Sequence, residues 1–186
     1  MKLTTLICTL LISSLTAIGT AQAQEKKLRI GTEAGYAPFE YKNAQGEIVG
    51  FDVDVANAIC EKLQATCEWI DQPFDSLIPG LQARKFDIIH AGITRSEARE
   101  RVITFSADLY AIPTQLIAKK DSGLLPSIDS LKGKRVGVLQ GSTHDAYARK
   151  AWGKEGVTFV SYQEQEQTYG DLQANRLDAV LAEKPK

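Results

Sequence analysis

The chain has 186 residues, 44% of them hydrophobic, with 22 basic and 23 acidic side chains and a net charge of −1 at neutral pH. A balance so close to zero, without a basic block, argues against a nucleic-acid or acidic-membrane binder. The length suits one globular domain or two small ones, and no apolar run beyond the first is long enough to span a bilayer.

Residues 1–23 have the layout of a secretory signal peptide. Lys2 precedes an uncharged apolar run, and Ala21-Gln22-Ala23 forms a small-x-small site. Cleavage after Ala23 is expected rather than retention as a membrane anchor, because Ser and Thr dilute the run. Cys8 lies inside this segment and would leave with it. The expected product is an exported protein.

"KLRIGTE" then reads as a short strand ending at Gly31, and "APFEYKNAQGEIVGF" as loop and hairpin with a turn over Asn43 to Gly46. "DVDVANAICEKLQA" is helical, with Val55, Ile59 and Leu63 on one face. Asp52 and Asp54 sit where a helix N-terminus favours negative charge. "CEWI" is a strand, "FDSLIPGLQARK" a second helix and "FDIIHAGI" a buried strand with His90 in its core. Two cysteines remain in this stretch, Cys60 and Cys67. Their spacing does not suit a zinc hook. An oxidising compartment favours a disulfide closing the helix onto the next strand, over two buried thiols.

"YAIPTQLIAKK" reads as an extended connector, and the pattern restarts after it. "KRVGVLQGST" is a strand with a Gly-Ser-Thr turn, "HDAYARKAW" a helix, "VTFVSY" a strand, "EQTYGDLQANR" a helix and "LDAVLAE" a strand. "LQARKFDII" and "LQANRLDAV" match, as do "KLRIGTEAG" and "KRVGVLQGS". The expected fold is α/β with a largely parallel sheet, in two similar lobes. Residues 24–112 would form lobe one and residues 113–186 lobe two, with a cleft between them that closes by a hinge.

Open α/β sheets bind ligands beyond the carboxyl ends of their strands. The segments there suit a small zwitterion. Arg99 could hold a carboxylate through two parallel hydrogen bonds, although it could also stand on a solvated helix among Glu97 and Glu100. Thr94, Thr143 and the amides around Gly92 and Ser142 could complete that end, since a Gly-Ser-Thr turn before a helix offers free N–H groups. Glu183 could receive an ammonium group and Glu33 a second cation, with Tyr36 and Phe74 enclosing the part between. Tyr36 and Phe74 could equally be core, and Glu33 a turn cap. Ser142-Thr143-His144-Asp145 has hydrolase residue types, but sequence neighbours rarely form a triad and no G-x-S-x-G elbow is present. "GTEAGY" lacks the later glycines of a dinucleotide fingerprint. No catalytic residue, metal site or cofactor is expected.

Five stretches together resemble a known family: "GTEAGYAPFEY", "GEIVGFDVDVANAIC", "FDSLIPGLQARKFD", "ITRSEARERVITFS" and "LKGKRVGVLQGST". They are similar to the periplasmic polar amino-acid-binding proteins of ABC importers (solute-binding protein family 3), above all the lysine/arginine/ornithine- and histidine-binding type. The resemblance runs from Leu28 to Glu183. It implies the two-lobed type II periplasmic-binding-protein fold, a monomer without enzymatic activity, and delivery of a cationic L-amino acid to an inner-membrane ABC permease. It further implies that Glu33 meets the cationic end of the ligand, that Tyr36 and Phe74 pack its side chain, and that Arg99 takes the α-carboxylate. Gly92, Thr94, Ser142 and Thr143 match positions that bind the α-carboxylate or α-ammonium, Leu139 belongs to the same pocket, and Cys60 and Cys67 match a disulfide of the histidine-type branch. Ala91 stands where relatives often carry serine, and Glu183 where they usually carry aspartate. The family chain also continues past this point to complete lobe two and return to lobe one, so a fold truncated at the C-terminus is expected. The alternatives are a periplasmic dehydratase-like enzyme on the same scaffold and a truncated product that does not bind.

Overall fold

The computed structural model describes residues 26–183, so the expected signal peptide and Cys8 lie outside the described residues. Strand β1 (Lys26–Thr32) leads into a small antiparallel sheet of β2 (Gly35–Tyr36), β3 (Glu40–Lys42) and β4 (Ile48–Val49). The Asn43 to Gly46 turn forms as expected: the Gly46 amide donates to the Asn43 carbonyl at 2.9 Å. Helix α1 (Phe51–Lys62), β5 (Ala65–Asp71), a 3-10 turn (Phe74–Ser76), α2 (Leu77–Gln82), β6 (Ile88–Ile89) and α3 (Glu97–Glu100) follow. The second half contains β7 (Thr114–Ala118), α4 (Ile128–Leu131), β8 (Arg135–Leu139), α5 (Thr143–Trp152), β9 (Thr158–Tyr162), α6 (Gln165–Gln173) and β10 (Ala179–Glu183).

Two sheets organise these elements. The first has the order β5-β1-β6 and is parallel throughout. The second has the order β7-β10-β8-β9 and is parallel except where β10 meets β7. The segment read as a connector is therefore also an edge strand of the second sheet. β10 is buried on both faces, which explains its unbroken apolar run. Ala179 and Leu181 join a cluster with Val136, Val138 and Trp152, while Val180 and Ala182 join Leu172 and Leu177 on the other face.

The sequence repeat has a physical basis. In the first half the helix ends through Arg84 at φ 57°, and in the second through Asn175 at φ 60°. Each then supplies an aspartate that holds the neighbouring parallel strand. Asp87 accepts from the amide and the Nε of Arg29 at 2.9 and 3.1 Å. Asp178 accepts from the amide and the Nε of Arg135 at 2.7 and 3.2 Å. A glycine in each central strand makes room for the apolar residue before that aspartate. A Cβ on Gly31 would lie 2.5 Å from Phe86, and one on Gly137 would lie 2.4 Å from Leu177.

Helix α1 departs from its expected orientation. Ile59 and Leu63 are 40% and 46% exposed, and the buried face is Asp52, Val53, Ala56 and Cys60. Ala56 and Cys60 pack against Ile30 under the first sheet. Small side chains let the helix approach the strands closely, so they, rather than the larger ones, face inward. Cys60 and Cys67 form the disulfide that ties this helix to β5, across a separation of 7 residues. So short a loop contributes about 2–3 kcal/mol. Replacing both cysteines by serine should lower stability in urea unfolding by about that amount and leave the transition cooperative; loss of any transition would refute this edge-staple role.

Candidate functional site

A cavity, partly open to solvent and with about 390 Å³ of empty space when the solvent at its mouth is included, lies between the carboxyl ends of the two sheets. Glu33, Tyr36, Phe74, Ala91, Gly92, Thr94, Arg99, Leu139, Ser142, Thr143 and Glu183 all line it. The residues singled out from the sequence are thus brought together, contributed by both halves.

Arg99 anchors one side. It lies on the short helix α3, where its amide is capped by Ser96 Oγ at 3.4 Å. Its side chain is buried rather than standing on a solvated helix face. Glu100, its acidic neighbour, pairs instead with Arg95 at 2.9 Å. Arg99 Nη1 donates to the Thr94 carbonyl at 2.6 Å, and Nη2 to the Gly141 carbonyl at 3.0 Å. The guanidinium carbon stands 5.5 Å from the centre of the Phe74 ring. Burial lowers the Arg99 pKa, and the charge of Glu183 opposes that shift. A guanidinium has five N–H donors in a planar fork, so two bonds to carbonyls leave donors for an anion.

Glu183 closes the same side. Its Oε1 accepts from Thr94 Oγ1 at 2.8 Å, and its carbonyl from Tyr36 OH at 3.3 Å. Burial raises its carboxyl pKa, while the Thr94 hydrogen bond and Arg99 pull it back. Ser142 caps α5, its side chain accepting from the Asp145 amide at 3.0 Å. The first-turn amides of a helix have no intrahelical acceptor, and Thr143 and His144 of that turn both line the cavity.

Glu33 lies in the same cavity and is buried. Its Oε1 has no hydrogen-bond partner. Burial pushes its pKa up to about 7, partly countered by the Gln165 backbone amide and assisted by the charges of Glu164, Asp71 and Glu166. A buried carboxylate with an open oxygen among other acids favours a cation.

Two further lining residues are not among those expected to bind: His144, considered only for its hydrolase residue type, and Gln165. His144 Nε2 lies 3.2 Å from Thr114 Oγ1 and 3.7 Å from Glu183 Oε1. Burial, reinforced by Arg99, lowers its pKa to about 4. Ser142 is engaged at its helix cap and His144 meets Thr114, so the Ser-Thr-His-Asp run is not arranged as nucleophile and base. Gln165 opens α6 and donates to Thr168 Oγ1 at 2.7 Å. It follows the carboxyl end of β9, a position where the strand-end rule also places ligand contacts. Among the described residues, no group of three or more His, Cys, Asp or Glu could hold a metal ion, and no helix is long and apolar enough to cross a membrane.

The chain is 46% identical over 181 residues to the lysine/arginine/ornithine-binding periplasmic protein of Escherichia coli, covering 97% of this chain and 70% of that protein. It is 43% identical, with the same coverage, to the histidine-binding periplasmic protein of Salmonella typhimurium. An ancestral arginine-binding protein bound to arginine superposes with a TM-score of 0.81 at 36% identity, covering 85% of this chain and 70% of that one. The two-sheet architecture is the type II periplasmic-binding-protein fold that these neighbours share. Residues 28–184 match the family model for bacterial extracellular solute-binding proteins, family 3, and the chain belongs to that family.

Proposed function

We propose that this protein works in the periplasm as a solute-binding protein. It captures a cationic L-amino acid (arginine, lysine, ornithine or histidine) between two lobes and delivers it to the permease of an ABC importer. The observation that carries this reading is the charge layout of a single cavity. Arg99 is held for a carboxylate, Glu183 stands beside it for an α-ammonium, and the buried Glu33 carries an open carboxylate oxygen. Thr94, Ser142, Thr143 and the Gly92 backbone complete the amino-acid end, and Tyr36 and Phe74 pack the ligand side chain against Ala91 and Leu139. The lobes would be residues 24–112 and 113–186, after removal of residues 1–23 as a signal peptide. The protein acts as a monomer. It is not an enzyme, in keeping with relatives named as binding proteins.

Glu33→Gln tests the charge assignment. Calorimetry should show arginine affinity falling at least about tenfold, with glutamine affinity little changed. An unchanged ratio of the two would sink the assignment. Because the Glu33 pKa is raised to about 7, a cationic ligand must displace a proton below that pH. Wild-type affinity for arginine should therefore weaken as pH falls through about 7, and the Glu33→Gln variant should lose this dependence.

A further inference from the structure

Asp75 and Gln140 meet across the cleft, yet neither lines the cavity. Gln140 Nε2 donates to Asp75 Oδ2 at 2.7 Å. Asp75 lies on the 3-10 turn beyond β5, and Gln140 follows β8 of the second sheet. Each is held on its own side. Ser76 Oγ donates to Asp75 Oδ1 at 3.4 Å, and the Gln140 amide to the Tyr162 carbonyl at 2.8 Å.

The two halves also touch through backbone at this point. Gly141 has φ of +75°, and a Cβ there would stand 2.9 Å from the Asp75 Cβ. Nearby, the Phe74 amide donates to the Gln163 carbonyl at 3.4 Å. Leu139 of β8 packs into an apolar cluster with Phe74, Leu77 and Phe86 of the first half. The Asp75–Gln140 contact involves no cavity-lining residue, so it favours closure whatever occupies the cavity.

We propose that Asp75 and Gln140 form a clasp outside the ligand cavity. It sets the fraction of molecules closed before ligand arrives, and so scales affinity for every ligand by one common factor. The reason is thermodynamic. When only the closed form binds tightly, the apparent Kd is the intrinsic Kd divided by the closed fraction. Contacts that never reach the ligand change that fraction and leave the ratio of affinities between ligands untouched. A hydrogen bond to a charged acceptor at a partly exposed rim shifts such an equilibrium by about three- to tenfold.

Gln140→Ala, Asp75→Ala and the double variant test the clasp, each checked for wild-type-like thermal unfolding. Small-angle scattering on ligand-free protein should give a larger radius of gyration for each variant than for wild type. Calorimetry with arginine, lysine and histidine, an arm that rests on the proposed function, should show all measurable affinities weakened by one common factor of about two to five. The double variant should be no weaker than the weaker single one. An unchanged radius of gyration would overturn the clasp, as would factors that differ between ligands. If wild type binds none of these amino acids, the proposed function fails, while the scattering comparison still decides the clasp.

Discussion

Arg99→Lys should weaken binding of arginine, lysine and histidine alike, by at least about a hundredfold. The substitution keeps the charge but removes the planar fork. In the native protein that fork spans both halves, with one nitrogen on the Thr94 carbonyl and another on the Gly141 carbonyl. The Phe74 ring lies beneath it. Three of its five N–H donors remain free of these carbonyls, enough to meet a carboxylate bidentately. A lysine ammonium is a compact point charge with three donors and no plane. It cannot hold both carbonyls and a carboxylate in one geometry. The loss should be common to all ligands, because the α-carboxylate is common to all. Wild type should bind the decarboxylated analogue of arginine far more weakly than arginine, and the variant should discriminate little between them. Calorimetry on folded variant checks both points; arginine affinity within about threefold of wild type would remove Arg99 from the α-carboxylate site.

Much of this layout was legible in the sequence because it is written in local, repeated chemistry. The strand–glycine–helix–aspartate order recurs in both halves, since Arg29 with Asp87 and Arg135 with Asp178 solve the same problem of tying a strand to its parallel neighbour. Strand ends then pointed to the cavity residues. What was not legible depends on packing between distant segments. Whether Arg99 is buried follows from the Gly141 carbonyl, 42 residues away in the chain. The inward face of α1 is set by how closely Ala56 and Cys60 approach β1, and periodicity pointed instead to the larger Ile59 and Leu63. Asp52 lies in the first turn of α1, where helix-terminus electrostatics favours it, and it is also buried, accepts from Tyr110 OH at 2.7 Å and lies 3.5 Å from His90 Nε2. Only the folded chain assembles that cluster, from the α1 start, the end of β6 and the segment before β7.

Glu40 in the same cluster should make the protein lose stability as pH rises, and Glu40→Gln should abolish this loss. Glu40 is 1% exposed, and neither carboxyl oxygen has a hydrogen-bond partner when the group is read as an ionised acceptor. Asp52 beside it also has an unpartnered oxygen, Oδ1. Two ionised carboxylates cannot bond to one another, but a protonated Glu40 can donate to Asp52. Burial first, and then the charges of Asp52 and Glu33, push the Glu40 pKa up to about 10. Burial disfavours the charged form of His90 and lowers its pKa, against the opposing pull of the Asp52 charge. In the unfolded chain Glu40 ionises at its ordinary value of 4.5. Between these two values the folded state holds a proton that the unfolded state has released. The contribution is therefore fully present below the unfolded pKa and declines as pH rises, by roughly 1.4 kcal/mol per unit for one proton. Glutamine has the same shape, donates to Asp52 without titrating, and has no such slope. Urea unfolding should find wild type and variant similar near pH 5 and the variant more stable by roughly 3–4 kcal/mol near pH 8. Parallel stability curves for the two proteins would show that Glu40 carries no proton in the folded state.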